Sequence, residues 1–413
     1  MIRSQPFVKP SPGCGRSSML ATLPQVAPKV RVAHVIQNLN YGGMERVLHS
    51  LARHLPSKGY EVHIVVLQYL GRFAEGLESG VELHQLPTMS PLSMLHPGPL
   101  ISLLRRIAPD VVHSHTGVWL KAARSARVAG VPLVVHTEHG RPDPVPFADR
   151  LIDNCASRWT DAVIAVSETM AELLRKQVVH NPERVRVIVN GVDLDRLRPS
   201  ADQAALRASL GVPPEAPVIG SIGRLEPVKN HQLALKAFAR LGAVPSGGAL
   251  PRFVLAGDGS ERGALERLAR QLGIADRVRF LGWRDDADQL NGAFDLYTLT
   301  SKSEGTSISL LEAMGTGVCP VVTDVGGNRA VLGSELESLL VPTEDEAALA
   351  SAWSRQLSDA DGRAALGATA RRRVAEYFSL TRMVEQHAVM YHDLLRGSGP
   401  GSARTGAISR SGT

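Results

Sequence analysis

Residues 301–328 read SKSEGTSISLLEAMGTGVCPVVTDVGGN, and this stretch sets a pattern that most of the chain repeats. Glu304 follows an apolar run, and the next three residues suit a tight turn and a helix cap. Apolar residues at helical spacing come next, and Gly315 and Gly317 end that helix. The stretch therefore predicts a strand, a turn, a helix and a second strand. Glu304 is expected at the carboxyl end of the first strand, with Glu312 about two helical turns further on.

The two glutamates and the helix N-terminus between them indicate a ligand site. Glu304 and Glu312 supply acceptors along one side of a crevice, while the free N–H groups of the helix N-terminus favour an anion. A polyhydroxylated and phosphorylated ligand fits this combination. The alternative is a pair of solvated glutamates that flank a buried helix, because carboxylates are usually exposed.

Buried strands and amphipathic helices alternate along the chain, which predicts the α/β class. Such alternation produces doubly wound parallel sheets with right-handed crossovers. The pattern lapses between residues 193 and 216, where prolines and an alanine-rich segment indicate a hinge region. We therefore expect two Rossmann-like domains. The predicted segments are a disordered tail (1–28), a first domain (29–192), the hinge region (193–216), a second domain (217–376), closing helices (377–396) and a disordered tail (397–413).

The distribution of charge argues against nucleic acid as a partner. The chain has 413 residues and a net charge of +6, but five of those six charges belong to the two terminal tails, which contain no acidic residue. The folded part is therefore close to neutral and lacks the basic field that a phosphate backbone requires. Three widely spaced cysteines favour a reducing, cytoplasmic compartment. No apolar run approaches the roughly 18 residues of a membrane span.

Lys121, Arg124 and Arg127 recur at a spacing of three on a predicted helix. Such a face suits peripheral contact with an anionic membrane, which would place the protein on the inner face of that membrane. The alternative is a solvated helix face, because charged side chains usually face water.

Several polar residues lie at the carboxyl ends of buried strands, where α/β sheets bind ligands. These residues are His113, His115, His136, Glu138, His139 and Asn190. His139 lies on the turn TEHG beyond a strand end and is expected to face the cleft, although a structural histidine fits the same position.

Two strand-to-helix turns suit a phosphate group. Gly42 and Gly43 follow the first strand, and a glycine turn lets backbone approach a phosphate closely. The turn GSIGRLEPVKN (220–230) carries Arg224 and Lys229. These two residues can clamp a diphosphate, since arginine binds two oxygens at once and lysine adds a mobile point charge. A pair of solvated surface cations is the alternative.

Neither a metal nor an organic cofactor is expected. A zinc site needs three or four ligands, and cysteines that would complete one beside the histidines are absent. The run AGDGSERGAL (256–265) misses the dinucleotide-binding spacing by one residue, and the following strand lacks the ribose-binding acid.

These motifs, in their order along the chain, resemble glycosyltransferase family 4, whose members have the GT-B fold. The resemblance implies that the two domains face each other across a cleft. The resemblance covers the chain from Val30 to Arg396, and SEGTSISLLEAMG carries the E-x7-E signature of that family. The other motifs are NYGGMERV, DVVHSH, VVHTEHG, VIVNGVD, IGRLEPVKN, LAGDG and VRFLGW. The resemblance implies a retaining, metal-independent hexosyltransferase that uses a nucleotide-sugar donor, with UDP or GDP as the expected nucleotide.

The resemblance also implies roles for individual residues. Arg224 and Lys229 would hold the diphosphate and neutralise the leaving group. Glu304 would accept hydrogen bonds from the donor hexose, and Glu312 would hold the ribose. The remaining predicted site residues are His139 beside the transferred sugar, Gly305, Thr306 and Ser307 at the phosphate and sugar, Gly43 with Gly42 at the diphosphate, and Asn190 at the cleft. The end of the chain, residues 377–396, would cross back to the first domain.

The resemblance departs from the family at one position. Members often have a glutamate three residues after the glycine pair, where this chain has Ala330. Donor preference or turnover could differ for that reason. The implied function is transfer to a sugar or lipid-linked glycan acceptor in cell-surface glycan or exopolysaccharide biosynthesis. The alternatives are a nucleotide-sugar epimerase or phosphorylase of the same fold, and a non-catalytic sugar-nucleotide-binding protein.

Overall fold

Two parallel β-sheets form the framework of the protein, one in each half of the chain. The computed structural model describes residues 29–40, 42–74, 77, 80–87, 97–198, 202–242 and 249–397. The first sheet contains β1 (Val30–Ile36), β2 (Tyr60–Val66), β3 (Val81–Gln85), β4 (Val111–His115), β5 (Leu133–Glu138), β6 (Ala162–Ala165) and β7 (Val185–Val187). Their order across the sheet is β3-β2-β1-β4-β5-β6-β7. The two predicted tails lie outside the described residues, apart from Gly397.

Helices cover both faces of the first sheet. They are α1 (Gly43–His54), α2 (Gly98–Ile107), α3 (Trp119–Ala129), α4 (Phe147–Arg158) and α5 (Glu168–Gln177). In β1, Val32 and Ile36 join the core on one face, while Ala33 and Val35 join the core on the other. Successive side chains of a strand point to opposite faces, so a strand that is covered twice must be apolar throughout.

The second sheet repeats this arrangement. Its strands are β8 (Val218–Ile222), β9 (Arg252–Ala256), β10 (Val278–Gly282), β11 (Leu296–Leu299), β12 (Cys319–Thr323) and β13 (Leu340–Val341), in the order β10-β9-β8-β11-β12-β13. Its helices are α6 (Gln203–Ser209), α7 (His231–Ala239), α8 (Arg262–Gln271), α9 (Ala287–Leu290), α10 (Ile308–Thr316), α11 (Asn328–Leu332), α12 (Glu346–Ser358) and α13 (Ala360–Tyr377). Within each sheet, neighbouring strands run parallel. The predicted fold class is confirmed.

Part of the predicted hinge region packs against the second domain. Arg207 of α6 is buried and donates to a carboxylate oxygen of Asp295 at 2.6 Å. Leu210 and Val212 belong to the same hydrophobic core as the second sheet. Residues 199–201 lie outside the described residues, so this part of the predicted hinge region is not described.

The last helix, α14 (Leu380–Gly397), packs on the first domain. The hydroxyl of Tyr60 donates to the carbonyl oxygen of Ala388 at 2.8 Å. The Tyr391 hydroxyl lies 2.5 Å from Nδ1 of His113, beneath the first sheet. The closing segment 377–396 contains the one helix α14, because α13 continues to Tyr377 and the chain then turns across the molecule.

Candidate active site

A cavity of about 620 Å³ lies between the two domains. The loops that follow β1, β5, β7, β8 and β11 line it, because the carboxyl ends of parallel strands meet at one edge of a sheet. All the residues predicted for the site lie on its wall. They are Gly42, Gly43, His139, Asn190, Arg224, Lys229, Glu304, Gly305, Thr306, Ser307 and Glu312. The fold therefore brings together residues that the sequence separates by as many as 270 positions.

Glu304 is held by two donors at the end of the loop after β11. Nζ of Lys229 lies 2.6 Å from Oε1 of Glu304, and the hydroxyl of Ser301 donates to the same oxygen at 2.6 Å. Ser307 caps α10, and its hydroxyl accepts a hydrogen bond from the backbone of Leu310 at 3.4 Å. Residues 306–309 line the cavity, so the N-terminus of α10 borders the space that an anionic ligand would take.

Glu312 forms an ion pair with Arg46, which lies in the opposite domain. Nη1 of Arg46 donates to Oε1 of Glu312. Only 8% of the Glu312 side chain is exposed, and burial raises the pKa of Glu312 while the charge of Arg46 opposes that rise. This contact escaped the sequence analysis, although Arg46 belongs to the motif NYGGMERV. The pair joins the two walls of the cleft at the carboxylate predicted to bind ribose.

Backbone contacts also join the domains around the cavity. Asn190 donates from Nδ2 to the carbonyl oxygen of Thr306 at 2.9 Å, and the hydroxyl of Thr306 donates to the carbonyl of Val166. A β-carbon at Gly305 would lie 2.6 Å from the carbonyl oxygen of His139, which is too close for any side chain. Glycine at this position therefore lets the two domains meet beside the candidate sugar pocket.

His139, which is partly buried, ends a chain of three imidazoles whose other members, His34 and His115, are fully buried. Its Nε2 lies 3.0 Å from Nδ1 of His115, and Nε2 of His115 lies 3.1 Å from Nδ1 of His34. The outer nitrogens, Nδ1 of His139 and Nε2 of His34, are buried and have no hydrogen-bond partner in the protein. A neutral imidazole donates from one nitrogen and accepts at the other, so the three tautomers are coupled.

Burial keeps this chain neutral. It lowers the pKa of His34 and His139 to about 3, and that of His387, on α14, to about 4. Nδ1 of His113 lies 2.5 Å from the Tyr391 hydroxyl, and its Nε2 lies 2.6 Å from Oγ1 of Thr137. His113 therefore has both ring nitrogens engaged in the hydrogen-bond network of the core.

These histidines should make stability depend on pH. In the unfolded chain a histidine binds its proton near pH 6.5, whereas the buried ones bind theirs only near pH 3 to 4. Between pH 6.5 and about 4 the unfolded state therefore binds more protons than the folded state. For each buried histidine, the free energy of unfolding should fall by roughly 1 kcal/mol for every pH unit of acidification in this range. The free energy of unfolding, measured with denaturant at pH 7.5 and 5.5, tests this. His387→Gln should reduce the difference between the two values. His392→Gln, which removes an exposed histidine, is the control. An equal pH dependence of the free energy of unfolding in the wild type and His387→Gln would contradict the prediction.

Further cavity residues were missed by the sequence analysis. They are Met44, Glu45, Phe73, Trp283, Arg284 and Ser309. Glu45 is buried, and burial raises its pKa, which the charge of Arg224 opposes. Glu45 lies in the first turn of the helix after β1, and Trp283 directly follows β10. Their positions after strands could have identified them from the sequence.

A second cavity, of about 390 Å³, adjoins the first one. The two share Thr116, Gly140, Arg141 and Pro142. Among the predicted strand-end residues, His136 and Glu138 line this second cavity, and Glu138 forms an ion pair with Arg141. Burial would raise the pKa of Glu138, but His136 and Arg141 outweigh it and lower that pKa to about 2. Glu138 is therefore a fixed negative charge.

The predicted basic face of α3 is smaller than expected. Arg127 turns inward, where it donates to a carboxylate oxygen of Asp161 at 2.6 Å and to the carbonyl of Trp159 at 2.9 Å. Lys121 and Arg124 remain as the partly exposed cations of that helix. Among the residues that the structure describes, no helix has the length and apolar character needed to cross a bilayer.

Comparison with known proteins places these features in a family. The model for Glycosyltransferase Family 4 matches residues 41–196, and the model for Glycosyl transferases group 1 matches residues 202–373. The first match falls on the domain of the seven-stranded sheet and the second on the domain of the six-stranded sheet. The cavity lies between the two matched regions.

Individual relatives align over most of their length. The chain is 26% identical over 386 residues to the UDP-Gal:alpha-D-GlcNAc-diphosphoundecaprenol alpha-1,3-galactosyltransferase of Escherichia coli, with 89% of this chain and 98% of that protein covered. It is 30% identical over 369 residues to the D-inositol 3-phosphate glycosyltransferase of Stackebrandtia nassauensis, with 80% and 82% covered. The crystal structure of Anabaena Alr3699/HepE in complex with UDP and glucose superposes with a TM-score of 0.78 at 24% identity, covering 88% of this chain and 100% of that one. The chain therefore belongs to glycosyltransferase family 4, and it is a glycosyltransferase of the GT-B fold.

Proposed function

We propose that the protein transfers a hexose from a UDP- or GDP-sugar to a hydroxyl acceptor with retention of the anomeric configuration. The observation that carries this proposal is the single cavity in which Lys229, Glu304, Glu312 and the N-terminus of α10 converge. Carboxylates suit hydroxyl groups of the hexose and the ribose, while a cation and a helix N-terminus suit the diphosphate between them. The relatives from E. coli and Anabaena, whose names include a UDP-sugar and UDP, favour UDP as the nucleotide.

The charge of the departing diphosphate would be stabilised without a metal ion. Arg224 and Lys229 follow β8 and line the cavity together with the N-terminus of α10, so positive charge from side chains and backbone would border the leaving group. In this proposal the acceptor hydroxyl attacks from the face that the diphosphate leaves, and a phosphate oxygen takes its proton. Glu304 grips sugar hydroxyls and acts neither as acid nor as base. Contacts between the domains exclude water, which would otherwise hydrolyse the donor.

The acceptor would enter along the second cavity. This cavity opens from the first one beside His139, and Trp119, Val145 and Ile152 give it an apolar side. Phe147 and Leu151, on α4, are exposed, and Lys121 lies on the neighbouring helix. A sugar on a lipid carrier would find polar and apolar contacts here, with anionic membrane beside Lys121 and Arg124. This arrangement favours a role in cell-surface glycan or exopolysaccharide biosynthesis at the inner face of the membrane.

A screen of thermal shifts against UDP-, GDP- and ADP-sugars identifies the donor, because a bound ligand raises apparent stability by mass action. The donor is then incubated with and without a lipid-linked glycan acceptor, and the anomeric configuration of the product is read by NMR. Retention in the acceptor product supports the proposal. A free, epimerised sugar nucleotide would support the epimerase alternative, and a free sugar phosphate formed with inorganic phosphate would support the phosphorylase alternative.

Glu304→Gln is expected to separate an enzyme from a sugar-nucleotide-binding protein. The substitution keeps the shape but removes the charge that holds Lys229, so kcat should fall about 10²-fold, or ~2.7 kcal/mol in the barrier. Steady-state kinetics with the identified donor measure this. Glu335→Gln, at an exposed ion pair with Arg372, serves as the control. Donor binding that ignores Glu304→Gln, together with no turnover by the wild type, would favour the non-catalytic alternative.

A further inference from the structure

Four polar side chains cluster at the outer edge of the first sheet. Glu61 and His63 lie two residues apart on β2, and Glu82 and His84 lie two apart on the edge strand β3. Side chains two apart share a face of a strand, and the register places Glu82 opposite His63. All four side chains therefore leave the same face of the sheet. These four residues have no part in lining the cavity between the domains.

Three ligand atoms of this cluster converge on one point. Nδ1 of His63 lies 3.2 Å from Nε2 of His84 and 3.4 Å from Oε2 of Glu82, and the latter two atoms lie 3.8 Å apart. An ion slightly out of the plane of the three atoms would lie about 2.1–2.2 Å from each of them, which matches zinc–nitrogen and zinc–oxygen bonds of ~2.0–2.2 Å. We propose that His63, Glu82 and His84 bind a divalent transition-metal ion, with zinc as the best fit.

Glu61 supplies the outer support that metal-binding histidines usually have. Its Oε1 lies 3.1 Å from Nε2 of His63, so the proton of His63 is held on Nε2 and the lone pair of Nδ1 is left for a metal. Nε of Arg31 lies 3.3 Å from the same carboxylate oxygen and fixes it from the neighbouring strand. The arrangement is the carboxylate–histidine–metal order found around zinc ions.

The donor set and its exposure select the ion. Two imidazoles and one carboxylate favour zinc and related transition metals, whereas calcium and magnesium prefer oxygen ligands alone. The negative charge of Glu82 offsets part of the charge of the ion, while that of Glu61 is shared with Arg31. Only 5% of the His63 side chain is exposed but 66% of the Glu82 side chain is, so the ion can enter from solvent and water can complete a tetrahedron.

The ion would join an edge strand to its neighbour. Among the strands that the structure describes, β3 is the outer one of its sheet and pairs with β2 alone, so a metal bridge from His63 to His84 would resist its detachment. The sequence analysis expected no metal, and this proposal departs from that expectation at a site outside the cavity. It leaves the metal-independent chemistry of the cavity as proposed. Without an ion, the same residues form a hydrogen-bonded imidazole pair flanked by carboxylates, and experiment separates the two arrangements.

Zinc binding to the full chain, produced without a polyhistidine tag, tests the proposal. After treatment with a chelator, the protein is titrated with Zn²⁺ alone and followed by calorimetry and elemental analysis. We expect about one equivalent to bind, and we expect Co²⁺ to give the visible absorption of a tetrahedral complex. His84→Ala and Glu82→Gln should each lower the affinity by at least about 10²-fold, and Glu61→Gln by about 10- to 100-fold. Zn²⁺ should raise the unfolding temperature of the wild type but not that of His84→Ala.

His392→Ala is the matched control, since His392 is an exposed histidine that lies 3.7 Å from a single carboxylate, that of Asp393. It should retain the affinity of the wild type. Glu82→Gln keeps an exposed side chain of equal shape, so it remains informative where His84→Ala disturbs folding. A wild-type protein that binds no Zn²⁺ overturns the proposal, and so does an affinity that Glu82→Gln leaves unchanged.

Discussion

Lys229→Ala is expected to lower the affinity for UDP or GDP by about 10²-fold, or ~2.7 kcal/mol, and kcat/KM by about 10³-fold, or ~4 kcal/mol. Two physical effects add. The diphosphate loses a charge-assisted contact, and the Glu304 carboxylate, which Lys229 contacts at 2.6 Å, is left without its cation beside an anionic ligand. The loss in kcat/KM exceeds the loss in affinity because negative charge grows on the leaving group in the transition state. Calorimetry with the nucleotide and steady-state kinetics with the donor measure the two terms.

Lys236→Ala is the control for this prediction. Lys236 follows Lys229 in the chain and lies on α7, where its Nζ is 3.4 Å from Oε1 of Glu346 at the surface. Exposed ion pairs contribute about 0–1 kcal/mol, so neither affinity nor rate should change measurably. Nucleotide affinity that survives Lys229→Ala would show that the phosphate clamp has been assigned to the wrong residue. A loss in affinity without a further loss in kcat would limit Lys229 to binding.

Removal of Arg46 is expected to weaken nucleotide binding even though this residue lies in the opposite domain from Glu312. Arg46→Ala leaves Glu312 buried without its cation, so the pKa of Glu312 should rise further and its carboxylate should be a weaker acceptor for ribose. We expect affinity for UDP or GDP to fall about 10-fold for Arg46→Ala and about 10²-fold for Glu312→Ala. The loss of affinity on acidification should also begin at a higher pH in Arg46→Ala than in the wild type.

A double-mutant cycle measures the coupling between these residues. If both act through one ion pair, Arg46→Ala together with Glu312→Ala should be no worse than Glu312→Ala alone, so the coupling should equal the whole loss from Arg46→Ala, about 1.4 kcal/mol. Arg372→Ala serves as the control, because Arg372 is 60% exposed and donates to Glu335 at 2.9 Å on the surface. Additive losses from Arg46 and Glu312 would contradict a bridge across the cleft.

The site residues could be predicted wherever the chemistry depends on local spacing. Ser307 caps a helix directly after a strand, so its neighbours Glu304 and Gly305 had to lie at a sheet edge. Arg224 and Lys229 follow another strand and reach the same edge for the same reason. Arg46 was missed because an arginine on the first turn of a helix is normally solvated, and no neighbouring residue identifies Glu312 as its ion-pair partner.

The sequence by itself determined the α/β class, the two parallel sheets and the positions along the chain where ligand-binding loops begin. These features follow from periodicity and turn chemistry, which act over a few residues. The tertiary structure decided which side chains meet. The Arg46–Glu312 pair, the imidazole chain that ends at His139 and the convergence of His63 with His84 all depend on strand order and register. Such contacts join segments that are distant in sequence, and local spacing carries no information about them.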